Sequence, residues 1–408
     1  MIRQAAILVG GKGTRLGALT AEMPKPLLEI GGQPFLDYLL FEVARHGVTD
    51  VILLAGHGAD LVRARYDGRE IAGAKVRCVV EPEAAGTGGA LRQASASLDP
   101  WFFLLNGDSI FDINMHDLAL DAEGRGSLGH LALLPVGDAR RSGAVVLDGS
   151  RIVAFAARGS GPAIVNGGVY VLRRDIVEFA ARVPMSLENE IFPALAARGQ
   201  LSGKVYDDRF FIDIGVPTDF AAAQMAIPRW ARRPAVFFDR DGVLNVDTGY
   251  VHRSDEFRWV DGAPEAVRAV NDSGRLAVVV TNQAGVARGL YDEAAVDRLH
   301  DWMNRELAAR GAHIDGFYFC PHHPDIGEPP YRQACDCRKP GTGLLRRAMV
   351  DLPIDMDRSL LIGDRPSDLE AAAAMALPGH HFDGGNLRDF VAALLARDRP
   401  GRNVATTP

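Results

Sequence analysis

The chain has 408 residues, of which 47% are hydrophobic and 24% are charged, and its formal net charge at pH 7 is −7. That length predicts two or three domains, and the acidic balance argues against a general nucleic-acid-binding protein. No apolar run reaches the length of a membrane span, and the first residues lead into a strand pattern without a signal peptide, so we expect a cytosolic protein.

A glycine-rich loop follows the first predicted strand. Residues 4–9 form a short apolar run, and the segment GGKGTRL at residues 10–16 comes directly after it. Glycines let the backbone approach a phosphate closely, and consecutive N–H groups can cradle its oxygens. Arg15 offers bidentate charge, and Lys25 lies between two prolines on a rigid turn. For the loop alone, the alternative is an ordinary strand-to-helix turn.

The loop and the PKP turn at residues 24–26 together resemble the signature of sugar-1-phosphate nucleotidyltransferases. The resemblance covers residues 1–225 and implies a Rossmann-like α/β domain with a mixed sheet, which joins a nucleoside triphosphate to a sugar phosphate. It implies catalytic roles for Arg15 and Lys25. It also implies a set of substrate-binding residues: Gly10, Gly11, Gly13, Thr14, Glu81, Gly86, Thr87, Gly88, Asn166, Gly167 and Glu188. For Glu188, a helix N-terminal acid beside a Ser186 cap is the alternative.

Two aspartates in this half each follow a predicted apolar strand. Asp108 follows the run at residues 101–105, and Asp213 follows the run at residues 210–212. Carboxylates are the hard oxygen ligands that Mg²⁺ prefers. Either aspartate alone is more typical of a turn, but the pair matches the family pattern and implies a Mg²⁺ site.

The family pattern carries Glu-Lys before the Asn-Gly-Gly segment, whereas this chain has Ala157 and Arg158 there. Arg158 remains a candidate partner for the sugar phosphate. The phrases LNGDSIFD at residues 105–112 and FIDIGVPTDF at residues 211–220 are similar to those of D-glycero-D-manno-heptose 1-phosphate guanylyltransferases. They leave the nucleobase open.

Residues 226–233, AIPRWARR, show no clear periodicity and are predicted to be a linker. A second α/β pattern follows. The apolar run at residues 235–238 ends in Asp239 and Asp241, and Gly242 allows a sharp turn. An isolated D-x-D-G is usually an acidic turn, but two carboxylates at the end of a buried strand also suit attack on phosphorus.

Three later motifs support the phosphorus chemistry: TNQ at residues 281–283, RKP at residues 338–340, and GD at residues 363–364. With the D-x-D-G, they resemble haloacid-dehalogenase-type phosphohydrolases over residues 234–395, which implies a parallel sheet. The resemblance implies that Asp239 is the nucleophile and Asp241 the general acid and base. It implies phosphate-binding residues Thr281, Asn282, Arg338 and Lys339, and Mg²⁺ ligands Asp239, Asp241 and Asp364. Asp368 either orients this set or is a helix N-terminal acid.

Three of the four cysteines, with one histidine, bracket a loop rich in Pro and Gly: Cys320, His322, Cys335 and Cys337. Three thiolates and an imidazole satisfy tetrahedral Zn²⁺ as a structural site. Disulfides or free thiols are the alternative, and His323 is a substitute ligand. Cys78 has no predicted role. The loop resembles that of D-glycero-D-manno-heptose-1,7-bisphosphate 7-phosphatases and of histidinol phosphatases.

The neighbouring nucleotidyltransferase favours the heptose enzyme, because it would use the sugar 1-phosphate that such a phosphatase makes. We therefore predict a bifunctional enzyme with Mg²⁺ at both sites and structural Zn²⁺. Its substrates would be a heptose bisphosphate, a heptose 1-phosphate and a nucleoside triphosphate, with GTP preferred, and it would bind no nucleic acid or membrane. Another sugar or base is one alternative. The other is a histidinol-phosphatase-like enzyme regulated by a nucleotide-sugar-sensing N-terminal domain. Residues 396–408 are predicted to be a disordered tail.

Overall fold

Short apolar runs form the strands of two separate main sheets, one in each half of the chain. The computed structural model describes residues 1–11, 13–20, 23–81, 85–140, 143–157 and 159–397. Within it the chain divides into two units, the first ending at Trp230 and the second beginning at Ala231. None of the helices in these ranges combines the length and apolarity needed to cross a membrane.

The first unit is built on a ten-stranded sheet and two smaller two-stranded sheets. The strands are β1 Gln4–Leu8, β2 Glu29–Ile30, β3 Gln33–Pro34, β4 Asp50–Ala55, β5 Glu70–Ile71, β6 Ala74–Val80, β7 Trp101–Asn106, β8 Ser109–Phe111, β9 Gly129–Val136, β10 Ala144–Asp148, β11 Arg151–Ala156, β12 Ala163–Arg173, β13 Leu201–Val205 and β14 Phe211–Asp213. The α-helices are α1 Phe35–Arg45, α2 Ala59–Tyr66, α3 Gly86–Ala94, α4 Met115–Ala122, α5 Phe192–Ala197 and α6 Pro217–Ala231. Short 3₁₀ segments cover Thr14–Thr20, Lys25–Leu27, Ser95–Ser97 and Arg174–Phe179, and a π-helical turn covers Leu187–Ile191.

The ten-stranded sheet has the order β10-β11-β13-β9-β12-β7-β1-β4-β6-β5. Its centre is parallel, with β1 between β4 and β7, whereas β12 runs antiparallel to both β7 and β9. Strands β1 and β4 are almost wholly apolar and buried, as expected where helices cover both faces of a sheet. The predicted mixed sheet is confirmed.

A small antiparallel pair, β8 with β14, joins two segments that are about a hundred residues apart in sequence. Asp213 lies opposite Ser109 in this pair, and the N–H of Ile214 donates to the carbonyl oxygen of Asp108 at 2.9 Å. The pairing therefore brings both predicted metal-binding aspartates to one place.

The second unit is a five-stranded sheet with helices. Its strands are β15 Ala235–Phe238, β16 Leu276–Asn282, β17 Gly316–Cys320, β18 Leu360–Gly363 and β19 Gly379–His381. Its α-helices are α7 Ala263–Asp272, α8 Glu293–Ala308, α9 Gly343–Asp351, α10 Pro366–Ala374 and α11 Leu387–Arg397, with a 3₁₀ turn at Met356–Arg358.

All pairings in the five-stranded sheet are parallel, in the order β17-β16-β15-β18-β19. This confirms the predicted parallel sheet. Because β15, β16 and β18 are adjacent and run the same way, Asp239, Thr281 and Asp364 are gathered at one edge. Each unit has its own hydrophobic cluster, with Phe102, Tyr170 and Phe192 in the first and Phe238 and Met303 in the second.

The predicted linker at residues 226–233 is replaced by helix as far as Ala231. Pro228 lies inside this helix, but packing holds it: Ile227 is fully buried, and Trp230 Nε1 donates to Asp112 Oδ2 at 3.0 Å. Arg233 then bridges to Ile354 in the second unit. At the other end, residues 396 and 397 complete α11, and the rest of the predicted tail lies outside the described residues.

Candidate active sites

In the first unit, a lysine lies beside the two predicted metal-binding aspartates. The Nζ of Lys25 is 2.5 Å from Asp108 Oδ2 and 3.6 Å from Asp213 Oδ1, and Lys25 is only 6% exposed. Burial raises the pKa of Asp213, and the charge of Asp108 adds to this shift. Two half-buried carboxylates with one ammonium close to both form a site that an additional cation would stabilise.

Glycines at two points leave room around this cluster. A Cβ on Gly215 would lie 3.0 Å from Lys25 Nζ and 3.2 Å from the Arg15 guanidinium, so the two predicted catalytic cations are neighbours. A Cβ on Gly10 would lie 2.8 Å from the backbone nitrogen of Gly56, which explains a glycine two residues after the end of β1. Gly13 has a positive φ of 60° and begins the turn into the 3₁₀ segment at Thr14.

Three of the predicted substrate-binding residues, Gly86, Thr87 and Gly88, form the first turn of α3. Thr87 Oγ1 donates to Glu188 Oε2 at 3.0 Å, and the N–H of Gly88 donates to the carbonyl oxygen of Met185 at 2.9 Å. Ser186 caps the π-helical turn by accepting from the N–H of Asn189, so the capping role of Ser186 is confirmed. Glu188 is thus connected to the glycine segment.

Glu81 lies next to Gly10 of the glycine loop. Its Oε2 accepts from the N–H of Ala85 at 2.9 Å, and its Oε1 would be 3.1 Å from a Cβ on Gly10. Burial raises the pKa of Glu81. The carboxylate is therefore close to the predicted phosphate loop.

The predicted substrate-binding residues Asn166 and Gly167 lie on β12. Asn166 Nδ2 donates to the hydroxyl of Tyr170 at 2.8 Å, and the N–H of Gly168 donates to Asn166 Oδ1 at 3.0 Å. Gly167 has no room for a side chain, since a Cβ there would lie 2.3 Å from the Phe111 ring. Arg158, the remaining predicted sugar-phosphate contact, lies outside the described residues.

In the second unit, a buried lysine joins two aspartates. Lys339 Nζ is 2.8 Å from Asp239 Oδ1 and 2.6 Å from Asp368 Oδ1, and it donates to the carbonyl oxygen of Val280 at 2.8 Å. Burial raises the pKa of Asp239 to about 6; Lys339 opposes this shift and Asp368 adds to it. Asp368 also accepts from the backbone N–H of Arg365, so both of its predicted roles, orienting the set and serving as a helix N-terminal acid, have a structural counterpart.

Asp239, Asp364 and Asp368 each offer a carboxylate oxygen to one small volume suited to a cation. Asp364 Oδ1 is buried and has no hydrogen-bond partner among the described residues, as expected of an oxygen left for a metal ion. A Cβ on Gly242 would lie 2.3 Å from Asp364 Oδ2, so glycine is required there for space as well as for its φ of 91°. This donor set suits Mg²⁺.

The predicted role of Asp241 as a Mg²⁺ ligand stays a prediction, since the carboxylate cluster of the described residues consists of Asp239, Asp364 and Asp368. Asp241 lies outside the aspartate cluster because its oxygens already have donors: Arg240 Nη2 at 2.9 Å, Gln283 Nε2 at 2.8 Å and Asn245 Nδ2 at 3.0 Å. The sequence prediction missed these three donors as site residues, although Arg240 lies between the two aspartates and Gln283 directly follows Thr281 and Asn282.

The predicted phosphate-binding residues lie at the same edge of the sheet. Thr281 is 1% exposed, and its Oγ1 accepts from Gln283 Nε2 at 2.9 Å. Asn282 makes two hydrogen bonds with the backbone of Lys339, at 3.0 and 3.1 Å, and so ties β16 to the lysine. Arg338 donates to the carbonyl oxygen of His322 at 3.3 Å.

The four predicted zinc ligands form one cluster. The three sulfur atoms are 3.2 to 3.5 Å apart, and His322 Nδ1 is 3.4 Å from the Cys337 sulfur and 3.8 Å from the Cys320 sulfur. These separations are far longer than a disulfide bond and close to the edges of a tetrahedron around Zn²⁺. His323 is not in this cluster; its Nδ1 accepts from the N–H of Asp325.

Fold and sites together define an α/β protein of two units, each with its own site. The first unit carries a glycine loop with clustered cations, and the second carries clustered aspartates with a buried lysine. Residues 4–229 match the nucleotidyl transferase family, and residues 336–389 match a HAD-hydrolase-like family. A D-glycero-β-D-manno-heptose-1,7-bisphosphate 7-phosphatase of Photorhabdus laumondii is 50% identical over 139 residues, covering 34% of this chain and 74% of that protein. The phosphatase of the same name from Rhodopseudomonas palustris is 46% identical over 164 residues, covering 40% of this chain and 91% of its own length.

The crystal structure of HddC from Yersinia pseudotuberculosis complexed with GMP-PN is similar to the first unit. It has 28% identity and a TM-score of 0.50, covering 55% of this chain and all of that one. The chain therefore belongs to the nucleotidyl transferase family and, through its C-terminal half, to the family of the D-glycero-β-D-manno-heptose-1,7-bisphosphate 7-phosphatases. The predicted combination of a nucleotidyltransferase domain with a phosphatase domain is confirmed.

Proposed function

We propose that this protein carries out two steps in the synthesis of an activated heptose. The second unit removes the 7-phosphate from D-glycero-D-manno-heptose 1,7-bisphosphate, and the first unit transfers a nucleotidyl group to the resulting heptose 1-phosphate. The observation that supports this most strongly is that one chain combines a cluster of carboxylates and a lysine in each unit. A relative of the second unit is named as a heptose-1,7-bisphosphate 7-phosphatase, and a structure similar to the first unit is a complex with GMP-PN.

At the phosphatase site, the Asp239 carboxylate attacks the phosphorus of the 7-phosphate and forms an aspartyl-phosphate. The bond between phosphorus and the sugar oxygen breaks, and Asp241 gives that oxygen a proton. Water then attacks the aspartyl-phosphate and returns a proton to Asp241, which releases phosphate and restores Asp239. Thr281, Arg338 and Lys339 hold the phosphoryl oxygens, and Asn282 positions the backbone of Lys339.

Asp239 and Asp364 would hold Mg²⁺ at this site, and the ion supplies charge neutralisation between the carboxylate and the phosphate oxygens. Lys339 contributes a fixed positive charge on the same side, since it is buried and within 2.8 Å of Asp239. Together these groups reduce the repulsion that an anionic nucleophile would otherwise meet.

At the nucleotidyltransferase site, the heptose 1-phosphate oxygen attacks the α-phosphorus of a nucleoside triphosphate, and pyrophosphate leaves. The glycine loop binds the triphosphate, Arg15 and Lys25 balance its charge, and Asp108 and Asp213 would hold Mg²⁺. Positioning and charge neutralisation supply most of the catalysis in such a transfer.

Contacts to the sugar come from the β12 segment and its surroundings. Asn166, Gly167 and Glu188 meet the hydroxyl groups of the heptose, and Arg158 pairs with its phosphate. GTP is the proposed donor because the similar HddC structure contains GMP-PN.

Zn²⁺ is proposed as a structural ion in the cysteine cluster. Four protein ligands leave no open position for substrate, and Cys337 lies directly before Arg338 and Lys339 in the chain. A folded loop would therefore fix the start of the segment that carries two phosphate-binding cations. Three reduced thiols at one site fit a cytosolic location.

The two activities should be separable by single substitutions. Asp239→Asn removes the nucleophile, so phosphate release from the bisphosphate should fall at least about a thousandfold, while pyrophosphate release from heptose 1-phosphate and GTP is unchanged. Asp108→Asn should do the reverse. Both anomers of the sugar and a panel of nucleoside triphosphates serve as substrates, which identifies the preferred base. Loss of both activities from either variant, with the fold intact, would contradict the two-site assignment.

A further inference from the structure

A continuous chain of buried hydrogen bonds connects the proposed acid and base, Asp241, to a surface groove of the second unit. The groove has a volume of about 1280 Å³ and is lined in part by His252, Tyr291, Trp302 and Tyr331. Between the groove and Asp241 lie two further side chains, Gln283 and Arg240.

Arg240 is the first of these connecting groups. It is fully buried, and its Nη2 lies 2.9 and 3.0 Å from the two Asp241 oxygens. The same nitrogen is 2.7 Å from the Val251 carbonyl oxygen and 3.1 Å from Gln283 Oε1. A buried guanidinium held at several points cannot easily change its position, so it provides a rigid contact for the Asp241 carboxylate.

Gln283 is 2% exposed, and the orientation of its amide follows from its hydrogen-bond partners. A guanidinium can only donate, so the Gln283 atom facing Arg240 must be the oxygen. The amide nitrogen consequently faces Asp241 Oδ2 at 2.8 Å and Thr281 Oγ1 at 2.9 Å. Since the Thr281 oxygen accepts this bond, its own hydrogen remains directed elsewhere, which suits donation to a phosphate.

Tyr291 connects this pair to the groove. Its hydroxyl donates to Gln283 Oε1 at 2.8 Å, and its ring stacks on His252 with centroids 4.6 Å apart and planes 12° from parallel. Burial raises the pKa of Tyr291 to about 12, so the hydroxyl keeps the proton that it donates. A Cβ on Gly285 would lie 2.3 Å from the ring, so the loop after β16 has a residue that leaves space for it.

We propose that Arg240, Gln283 and Tyr291 are positioning residues that hold the Asp241 carboxylate in the orientation for proton transfer. This inference rests on the proposed phosphatase function. The three residues need not touch the substrate; they act through Asp241, and Gln283 acts through Thr281 as well.

The effect of a misoriented Asp241 on the rate depends on the leaving group of the phosphate ester. When the phosphate ester of a sugar alcohol breaks, the departing oxygen needs a proton, whereas a nitrophenolate leaves without one. Misorientation of Asp241 should therefore slow the first step with the sugar phosphate much more than with p-nitrophenyl phosphate. A general loss of folding or of metal binding would slow both substrates equally.

The test measures kcat/KM of the full-length protein for the heptose bisphosphate and for p-nitrophenyl phosphate. Tyr291→Phe should lower the value for the bisphosphate about three- to tenfold, and Gln283→Leu about 30- to 100-fold. On the nitrophenyl ester, Tyr291→Phe should stay within about threefold of the parent protein. Gln283→Leu, which also removes the hydrogen bond to Thr281, should lose less activity on this ester than on the bisphosphate. For Tyr291→Phe the fall should appear in kcat with KM unchanged.

The matched control is Tyr331→Phe. This change also removes one hydroxyl from the lining of the groove, but that hydroxyl donates to Glu293 Oε1 and has no part in the chain to Asp241. It should leave both substrates unaffected. Pyrophosphate release by the first unit of the same molecules shows that each preparation is intact.

Two results would overturn the inference: equal losses on both substrates, or full activity of Tyr291→Phe on the bisphosphate. If Gln283→Leu does not fold, Tyr291→Phe decides alone. Failure of the underlying function is a different observation, because then the unaltered protein would not hydrolyse the bisphosphate, or Asp239→Asn would retain that activity.

Discussion

His130 illustrates how a single buried residue of the first unit can make stability depend on pH. The imidazole is fully buried; its Nδ1 lies 2.8 Å from Ser202 Oγ, and its Nε2 lies 3.1 Å from Asp121 Oδ2. Burial lowers the pKa of His130 to about 4, with the Asp121 charge opposing the shift. The unfolded chain, in which a histidine has a pKa near 6.5, therefore takes up this proton first as the pH falls.

The direction of the pH effect on stability follows from the lower pKa of His130 in the folded state. The folded state has its full stability above about pH 6.5 and loses the contribution of His130 as the pH falls towards 4, by about 3 kcal/mol at most. We expect His130→Asn to reduce this loss, although it lowers stability at neutral pH by disturbing a packed site. Native-state hydrogen exchange of β9 and β13 amides between pH 7 and pH 4.5 measures this loss of stability. Substitution of the exposed His57, His57→Asn, is the control. An unchanged pH dependence in His130→Asn would exclude the histidine as its source.

The residues predicted for the phosphatase site share a simple property. Asp239 and Asp364 directly follow strands, and Thr281 lies near the carboxyl end of one, so a linear pattern locates them once the strands are parallel. Arg240 and Gln283 were missed because their role depends on burial and on contacts between β15 and β16. The one available signal was a charged residue, Arg240, between two aspartates at the end of an otherwise apolar run.

At the scale of secondary structure, the cysteine loop depends on its proposed ion. Burial raises the pKa of Cys337 to about 11 and also raises the pKa of Cys320, so these two thiols favour the protonated form without a cation. At Cys335 burial is outweighed by hydrogen bonds, chiefly with Cys337, and the pKa is lowered. Zn²⁺ would stabilise the thiolates and connect β17 to the segment before Lys339.

Cys335→Ser should therefore lower the zinc content from about one to well below one ion per chain. It should also reduce phosphatase activity through disorder of the loop, while nucleotidyl transfer is retained. Metal analysis of protein purified without chelators, together with both activity assays, measures these effects. Cys78→Ser is the control, because Cys78 lies on β6 outside the cluster, and it should keep its zinc. Absence of zinc from the unaltered protein would contradict the proposal.

Strands that are continuous apolar runs were predictable: Ala235–Phe238 agrees at both ends, and Gln4–Leu8 differs by one residue. The helix over part of residues 226–233 was not predictable, since this segment contains a proline, two adjacent arginines and little periodicity. Its helix is maintained by tertiary contacts, namely burial of Ile227 and the hydrogen bond from Trp230 to Asp112. The pairing of β8 with β14 likewise depends on a contact between segments distant in sequence, which no local pattern reveals.

At the scale of the whole molecule, each unit has a hydrophobic cluster of its own. The hydrophobic cluster of the first unit draws its members from residues 6–201, and that of the second from residues 236–394. Only Arg232 separates the end of α6 at Ala231 from Arg233, which already pairs with the second unit. Division of the chain between Ala231 and Arg232 therefore removes no element from either unit.

Fragments 1–231 and 232–408 should each fold and keep their own activity, and joining them should add little to the rate of the coupled reaction. A tether gives one domain an effective concentration of about millimolar near the other, but this acts on the domain and not on a released product. Heptose 1-phosphate diffuses away faster than the domains reorient, so it enters the bulk solution before the second step. The test starts from heptose bisphosphate and GTP and compares the intact chain with equal concentrations of the two fragments. An added enzyme that consumes free heptose 1-phosphate should suppress nucleotide-sugar formation to the same extent in both. If the intact chain alone resisted this trap, the product would have to pass between the sites without entering the solvent, and the free-diffusion account would be wrong.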